Sequence, residues 1–75
     1  VNRAVEVARY LVRGVLRRPE VVKVEHVWTP EADLLFLRLP EEERRRLRSE
    51  GVAALLRVIE TLGREGERTL VVDLR

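Results

Sequence analysis

The chain has no cysteine, no methionine and no glutamine, and only one asparagine, one lysine and one histidine. Without cysteine, no disulfide can staple the fold and no thiolate can hold zinc. A lone histidine, His26, makes no metal site, so neither metal nor cofactor is expected. Aromatics are scarce as well, with one Tyr, one Trp and one Phe, which leaves the core to aliphatic packing. No apolar run approaches the roughly 18 residues of a membrane span, and no signal-peptide pattern is present. The expectation is a soluble cytoplasmic protein, without membrane contact. The first residue is Val1 rather than Met, so a processed, trimmed or tagged N-terminus is expected. Seventy-five residues make one domain, and a chain of this size buries only about 60% of its unfolded surface.

What is abundant is charge. Fourteen arginines accompany the single lysine, against 13 acids, for a formal net charge of +2. That bias fits a heat-adapted or high-GC organism, and a melting temperature above the mesophile range is expected. A charge of +2 is no nucleic-acid signature by itself. Its placement is uneven: Arg3, Arg9, Arg13, Arg17 and Arg18 oppose only Glu6 in the first quarter of the chain.

Residues 3–17 have helical periodicity. Ala4, Val5, Ala8, Leu11, Val12, Val15 and Leu16 fall on one arc, with Asn2 as N-cap and Pro19 as terminator. Gly14 at the border reads as a close approach to a neighbouring element. Residues 21–28 alternate as a valine-rich strand with Val22, Val24, His26 and Trp28 on one face. A turn at 29–33 leads to a second, antiparallel strand at 34–39, whose near-continuous apolar run suits a central position. A short helix at 41–47 starts with three glutamates followed by three arginines, in the order the helix dipole favours, with Leu47 as its main anchor. After a polar turn, Arg48-Ser49-Glu50-Gly51, a third helix spans 52–62 with Val52, Leu55, Leu56, Val58, Ile59 and Leu62 on one side and Gly63 as C-cap. The last strand is 68–74. A right-handed crossover sets it parallel to and beside the 34–39 strand. The fold class is α+β, in the order α-β-β-α-α-β: a three-stranded mixed sheet with three helices on one face.

This order, the total length, the run Tyr10-Leu11-Val12 into Arg18-Pro19-Glu20-Val21 and the approach Leu39-Pro40-Glu41-Glu42 resemble a type II KH domain, of the kind found as small stand-alone bacterial RNA-binding proteins. The resemblance spans nearly the whole chain. It puts the 48–51 turn where the family has its GXXG loop, which clamps about four nucleotides of single strand. Arg48 stands at the first glycine, Gly51 keeps the second, and Ser49 and Glu50 fill the often basic middle positions. The motif is therefore degenerate. Ala53 and Ala54 follow where larger apolar groups are usual.

The resemblance implies low-specificity binding of single-stranded RNA, with Arg45, Arg46 and Arg48 near phosphate, Ser49 and Glu50 in the loop, and Gly51, Val52 and Ala53 as backbone donors and floor. Glu50 or Ser49 could cap the third helix internally, and Glu50 would repel an approaching phosphate, whereas Arg48 could hold one bidentately. Each feature also has a plainer reading. The arginines of 44–46 could be solvated and paired with Glu41, Glu42 and Glu43, and the Arg9-Arg13-Arg17 stripe could be a solvated helix face rather than a second RNA or acidic-partner surface. Trp28 reads as core or core edge before it reads as a base-stacking platform. The alternative function is a degenerate KH module for protein interaction or homodimerisation, using the first helix or the open sheet face around Leu34, Phe36, Val71 and Val27. No enzyme and no small-molecule substrate is expected: Ser49 has no basic partner in reach, and no paired acids stand out.

Overall fold

The computed structural model describes residues 2–75; the expectation about Val1 lies outside them. Helix α1 covers Arg3–Val15, and the Asn2 side chain caps it by accepting from the Val5 N–H at 3.1 Å. The helix ends two residues before the predicted limit. The reason is a carboxylate from elsewhere: Glu43 Oε2 accepts the N–H groups of Arg17 at 2.9 Å and Arg18 at 3.0 Å, so neither continues the helical ladder. A single 3-10 turn at Pro19–Val21 follows. It takes Val21 out of the expected strand, because the Val21 and Val22 N–H groups donate to Arg18 and Pro19 carbonyls.

Strand β1 is Lys23–Trp28 and β2 is Ala32–Arg38. The turn between them is tight, with Thr29 N–H donating to the Ala32 carbonyl at 2.9 Å and Thr29 Oγ1 accepting from the Ala32 N–H. Helix α2 covers Glu41–Gly63, and β3 covers Thr69–Leu74. The sheet order is β1-β2-β3, antiparallel then parallel, as the crossover argument requires.

The element order is thus α-β-β-α-β with two helices, and the expected third helix is not a separate element. Residues Glu41–Gly63 form one helical element with a single non-helical residue, Arg48 (φ 64°, ψ 174°). The expected four-residue turn is a one-residue break, and Ser49, Glu50 and Gly51 are already helical. The buried stripe beyond Arg48 is Val52, Leu55, Ile59 and Gly63, while Val58 and Leu62, expected on the apolar side, are exposed.

Both helices pack on the sheet face that carries Leu35, Leu37, Leu70 and Val72. Leu35, Leu37 and Ile59 are fully buried at its centre. The opposite face carries Val27, Leu34, Phe36 and Val71 and is not covered by a helix; Phe36 lies under the Arg75 guanidinium, 4.9 Å from the ring centre.

The glycines correct two sequence expectations in opposite directions. A Cβ at Gly14 would meet nothing within 4 Å, so no close approach explains it. Gly63 is where elements touch: a Cβ there would lie 3.0 Å from Ala4 Cα and 3.2 Å from Leu70 Cδ2. It is the last residue of α2, pressed against the first turn of α1, and the C-cap is Arg64. Gly14→Ala is therefore expected to stabilise by about 1 kcal/mol, the helix-propensity difference. Gly63→Ala is expected to destabilise despite the same propensity gain, because overpacking against backbone costs roughly 1–3 kcal/mol. Urea midpoints of the two variants should move in opposite directions, and equal signs would refute this assignment.

Candidate functional site

The break in α2 and the end of β3 enclose a groove of about 650 Å3. Its floor is aliphatic: Leu39, Val52, Leu56 and Leu74. Its rim is polar: Arg44, Arg45, Arg48, Ser49 and Glu41. The groove exists because β2 ends in buried Leu39 just before Pro40 opens α2, and the helix then turns at Arg48.

Arg48 is the only non-glycine residue with positive φ among the described residues. Its φ/ψ pair lies in a region essentially reserved for glycine, since a Cβ there crowds the backbone. Gly51 does not supply the conformation: its φ is not positive, and its role is proximity. A Cβ on Gly51 would lie 3.1 Å from Leu47 Cβ, so the glycine lets Leu47 pack across the break.

Of the residues expected at the site, Arg45, Arg48, Ser49, Val52 and Ala53 line the groove, whereas Arg46, Glu50 and Gly51 do not. Arg46 turns the other way. It donates through Nε and Nη2 to Glu43 Oε1, at 3.1 and 2.9 Å, and through Nη2 to the Val15 carbonyl at 2.9 Å. It closes the carboxyl-terminal end of α1 and is removed from the phosphate-binding set for that reason. Glu50 is exposed and accepts from Ser49 Oγ at 3.2 Å; neither side chain receives a backbone N–H of the following turn, so the expected internal cap is absent among the described residues.

The triple glutamate divides into three roles. Glu41 pairs with Arg45 at 3.3 Å in full solvent, a pair of little energetic weight. Glu42 reaches Arg18 at 3.7 Å. Glu43 is buried, at 3% exposure, beneath the α1 end. Burial opposes its ionisation, but the Arg46 guanidinium and the Arg18 and Arg17 N–H groups outweigh that and hold its carboxyl below the ordinary 4.5. Arg44 and Arg48 enter no ion pair among the described residues, so the groove carries a cationic excess.

A second polar cluster sits at the far end of the sheet. Asp33 accepts from Arg68 Nε at 3.0 Å and from His26 Nε2 at 2.9 Å, and these two bonds, Arg68 first, lower its carboxyl from 3.8. With Nε2 donating, His26 Nδ1 accepts from Asn2 Nδ2 at 3.1 Å. Arg68 also donates to the Thr29 carbonyl and lies 5.2 Å from the centre of the Trp28 ring. Of the two placements expected for Trp28, core or core edge, its 62% exposure excludes the core. Among the described residues, no three of His, Asp and Glu converge as metal ligands, and no helix is long and apolar enough to cross a membrane.

Sequence reasoning left Leu39, Glu41, Leu56 and Leu74 out of the site, and Arg44 out of its core set. Leu56 and Leu74 were readable as apolar positions, but their convergence depends on β3 lying beside α2. No family model, no curated protein and no solved structure matches the chain.

Proposed function

We propose that the chain is a KH-like module that binds single-stranded RNA in the groove beside Arg48. The observation that carries this reading is the Arg48 backbone. A glycine-type conformation, at the position matching the first glycine of the GXXG loop, opens an apolar-floored, cationic-rimmed groove between helix and sheet edge. Bases lie on Leu39, Val52, Leu56 and Leu74, and Arg44, Arg45 and Arg48 neutralise phosphates. The helix restarting at Ser49 points its first N–H groups and the positive end of its dipole at the same place. The floor has no polar side chain to read base edges, so discrimination between bases is weak.

Fluorescence anisotropy of a labelled oligouridylate at two salt concentrations tests the proposal. Three phosphate contacts give a log–log salt slope of about −2. Arg48→Glu is expected to weaken binding by about tenfold or more, since it replaces a bidentate donor with a repelling charge. Glu50→Lys tightens it by a smaller factor, because Glu50 flanks the groove without lining it. No detectable binding by the unmodified chain at low salt would end the RNA reading.

A further inference from the structure

The opposite edge of the sheet carries a different surface. Among the described residues strand β1 pairs only with β2, so its other side is a free edge. The Thr29 N–H to Ala32 carbonyl bond sets the phase of the ladder: with Thr29 bonding inward, Val27, Glu25 and Lys23 bond to β2, and the N–H and carbonyl groups of Val24 and His26 point outward. Edges of this kind are templates for a further strand.

Beside this edge, α1 overhangs a cleft of about 440 Å3 whose apolar lining is Val12, Pro19, Val22 and Val24. Around the edge, on the open sheet face, a second concavity of about 510 Å3 shares Arg9, Val22 and Val24 with it and adds Lys23 and Arg38. The charges are lopsided. Arg9, Arg13, Lys23 and Arg38 enter no ion pair among the described residues. The two acids of the region are both engaged, Glu20 with Arg18 at 3.5 Å and Glu25 with Arg75 at 2.6 Å.

We propose that the β1 edge, roofed by α1, binds an extended acidic peptide as a fourth strand of the sheet. Main-chain bonds to Val24 and His26 hold it. Alternate apolar side chains enter the cleft under α1, and the intervening acidic side chains meet Lys23 and Arg38 on the open face, with Arg9 and Arg13 on the rim. A second copy of this chain fits poorly, because a two-fold arrangement would bring the unpaired cations of both copies together. A nucleic-acid strand would satisfy the cations but leave the outward N–H and carbonyl pattern of the edge unused, so the peptide is favoured.

The test uses the full chain, 15N-labelled, with a synthetic peptide as long as β1 alternating valine and glutamate. Amide exchange at Val24 and His26 is expected to slow by about tenfold near saturation, with Val52 and Ala53 in the RNA groove unaffected. The double charge reversal Arg9→Glu with Arg13→Glu, both on the exposed face of α1, is expected to weaken the peptide by about tenfold and leave the fold intact by circular dichroism. A peptide alternating valine and lysine should not bind. Unchanged exchange at Val24 and His26 with millimolar acidic peptide would overturn the proposal. So would an oligouridylate that perturbs Val24 and Arg13 where the acidic peptide does not.

Discussion

Glu43→Ala is expected to lower the thermal midpoint by on the order of 10 °C or more, the largest effect of any single polar substitution in the chain. The carboxylate is buried and accepts from three donors at once: the Arg17 and Arg18 N–H groups and the Arg46 guanidinium. Truncation removes the acceptor of both N–H groups and the counter-charge of Arg46, which among the described residues keeps only its bond to the Val15 carbonyl. Two of the donors are backbone N–H groups at the end of α1, and the third is a cation whose carboxylate partner is gone. Truncation also cuts the buried bridge from the first turn of α2 to the end of α1 and leaves there only the exposed Glu42–Arg18 pair and the Arg46 bond to the Val15 carbonyl among the described residues.

Glu43→Gln separates charge from shape. It keeps an acceptor for the N–H groups but loses the carboxylate charge that faces Arg46, so its midpoint falls between those of the unmodified chain and Glu43→Ala. Acid gives the same answer by another route. In the unfolded chain the carboxyl titrates near 4.5, and in the fold it titrates lower. Between those values the unfolded state holds a proton that the folded state does not, so stability is complete above about 4.5 and is lost as pH falls through the folded value. Asp33, also lowered from 3.8, adds a second loss in the same direction below that pH. The midpoint of Glu43→Gln should therefore depend less on pH below 4.5 than that of the unmodified chain. Parallel pH profiles would show that Glu43 is not the titrating group.

Arg48→Gly is expected to stabilise the protein, and Arg48→Ala is not. The backbone at φ 64°, ψ 174° costs a residue with a Cβ about 1–3 kcal/mol. Glycine adopts it freely but brings roughly 0.5–1 kcal/mol of extra unfolded-state entropy. The net gain is about 1 kcal/mol, or on the order of 5 °C for a domain of this size. Alanine retains the Cβ and the strain, so it isolates the backbone effect from loss of the guanidinium. A glycine variant no more stable than the alanine variant would place the strain elsewhere. The protein keeps an arginine here at a conformational cost, on the rim of the groove where a cation is useful.

These two positions also mark where the sequence was opaque. The arc of apolar residues in 3–17 shows the burial of Ala4, Ala8, Val12 and Leu16 because periodicity is a one-dimensional signal, and the handedness of the crossover places the last strand beside β2. Glu43 stands in a run of three identical residues, and nothing local separates the buried member from its neighbours. Its selection depends on the chain returning past the end of α1. The break in α2 was placed by glycine, the usual punctuation, and so was spread over 48–51. The residue that leaves the helix is the arginine, and the glycine serves packing instead. Val58 and Leu62 lie at the margin of the apolar arc of 52–62, and the narrower stripe of Val52, Leu55, Ile59 and Gly63 is the part that packing buries. The groove was half legible: Arg45, Arg48, Ser49, Val52 and Ala53 lie close together in sequence, but Leu39 and Leu74 reach it only through tertiary structure.

The Asp33 cluster bears on how the chain comes apart. Through one carboxylate, β2 holds Arg68 before β3 and His26 in β1, and through His26 it holds Asn2, the cap of α1. The two ends of the chain are thereby coupled to the middle strand at one point. Loss of β3 would release Arg68 from Asp33 and, through His26, remove support from the α1 cap, so opening at β3 is expected to be felt at β1 and at the start of α1.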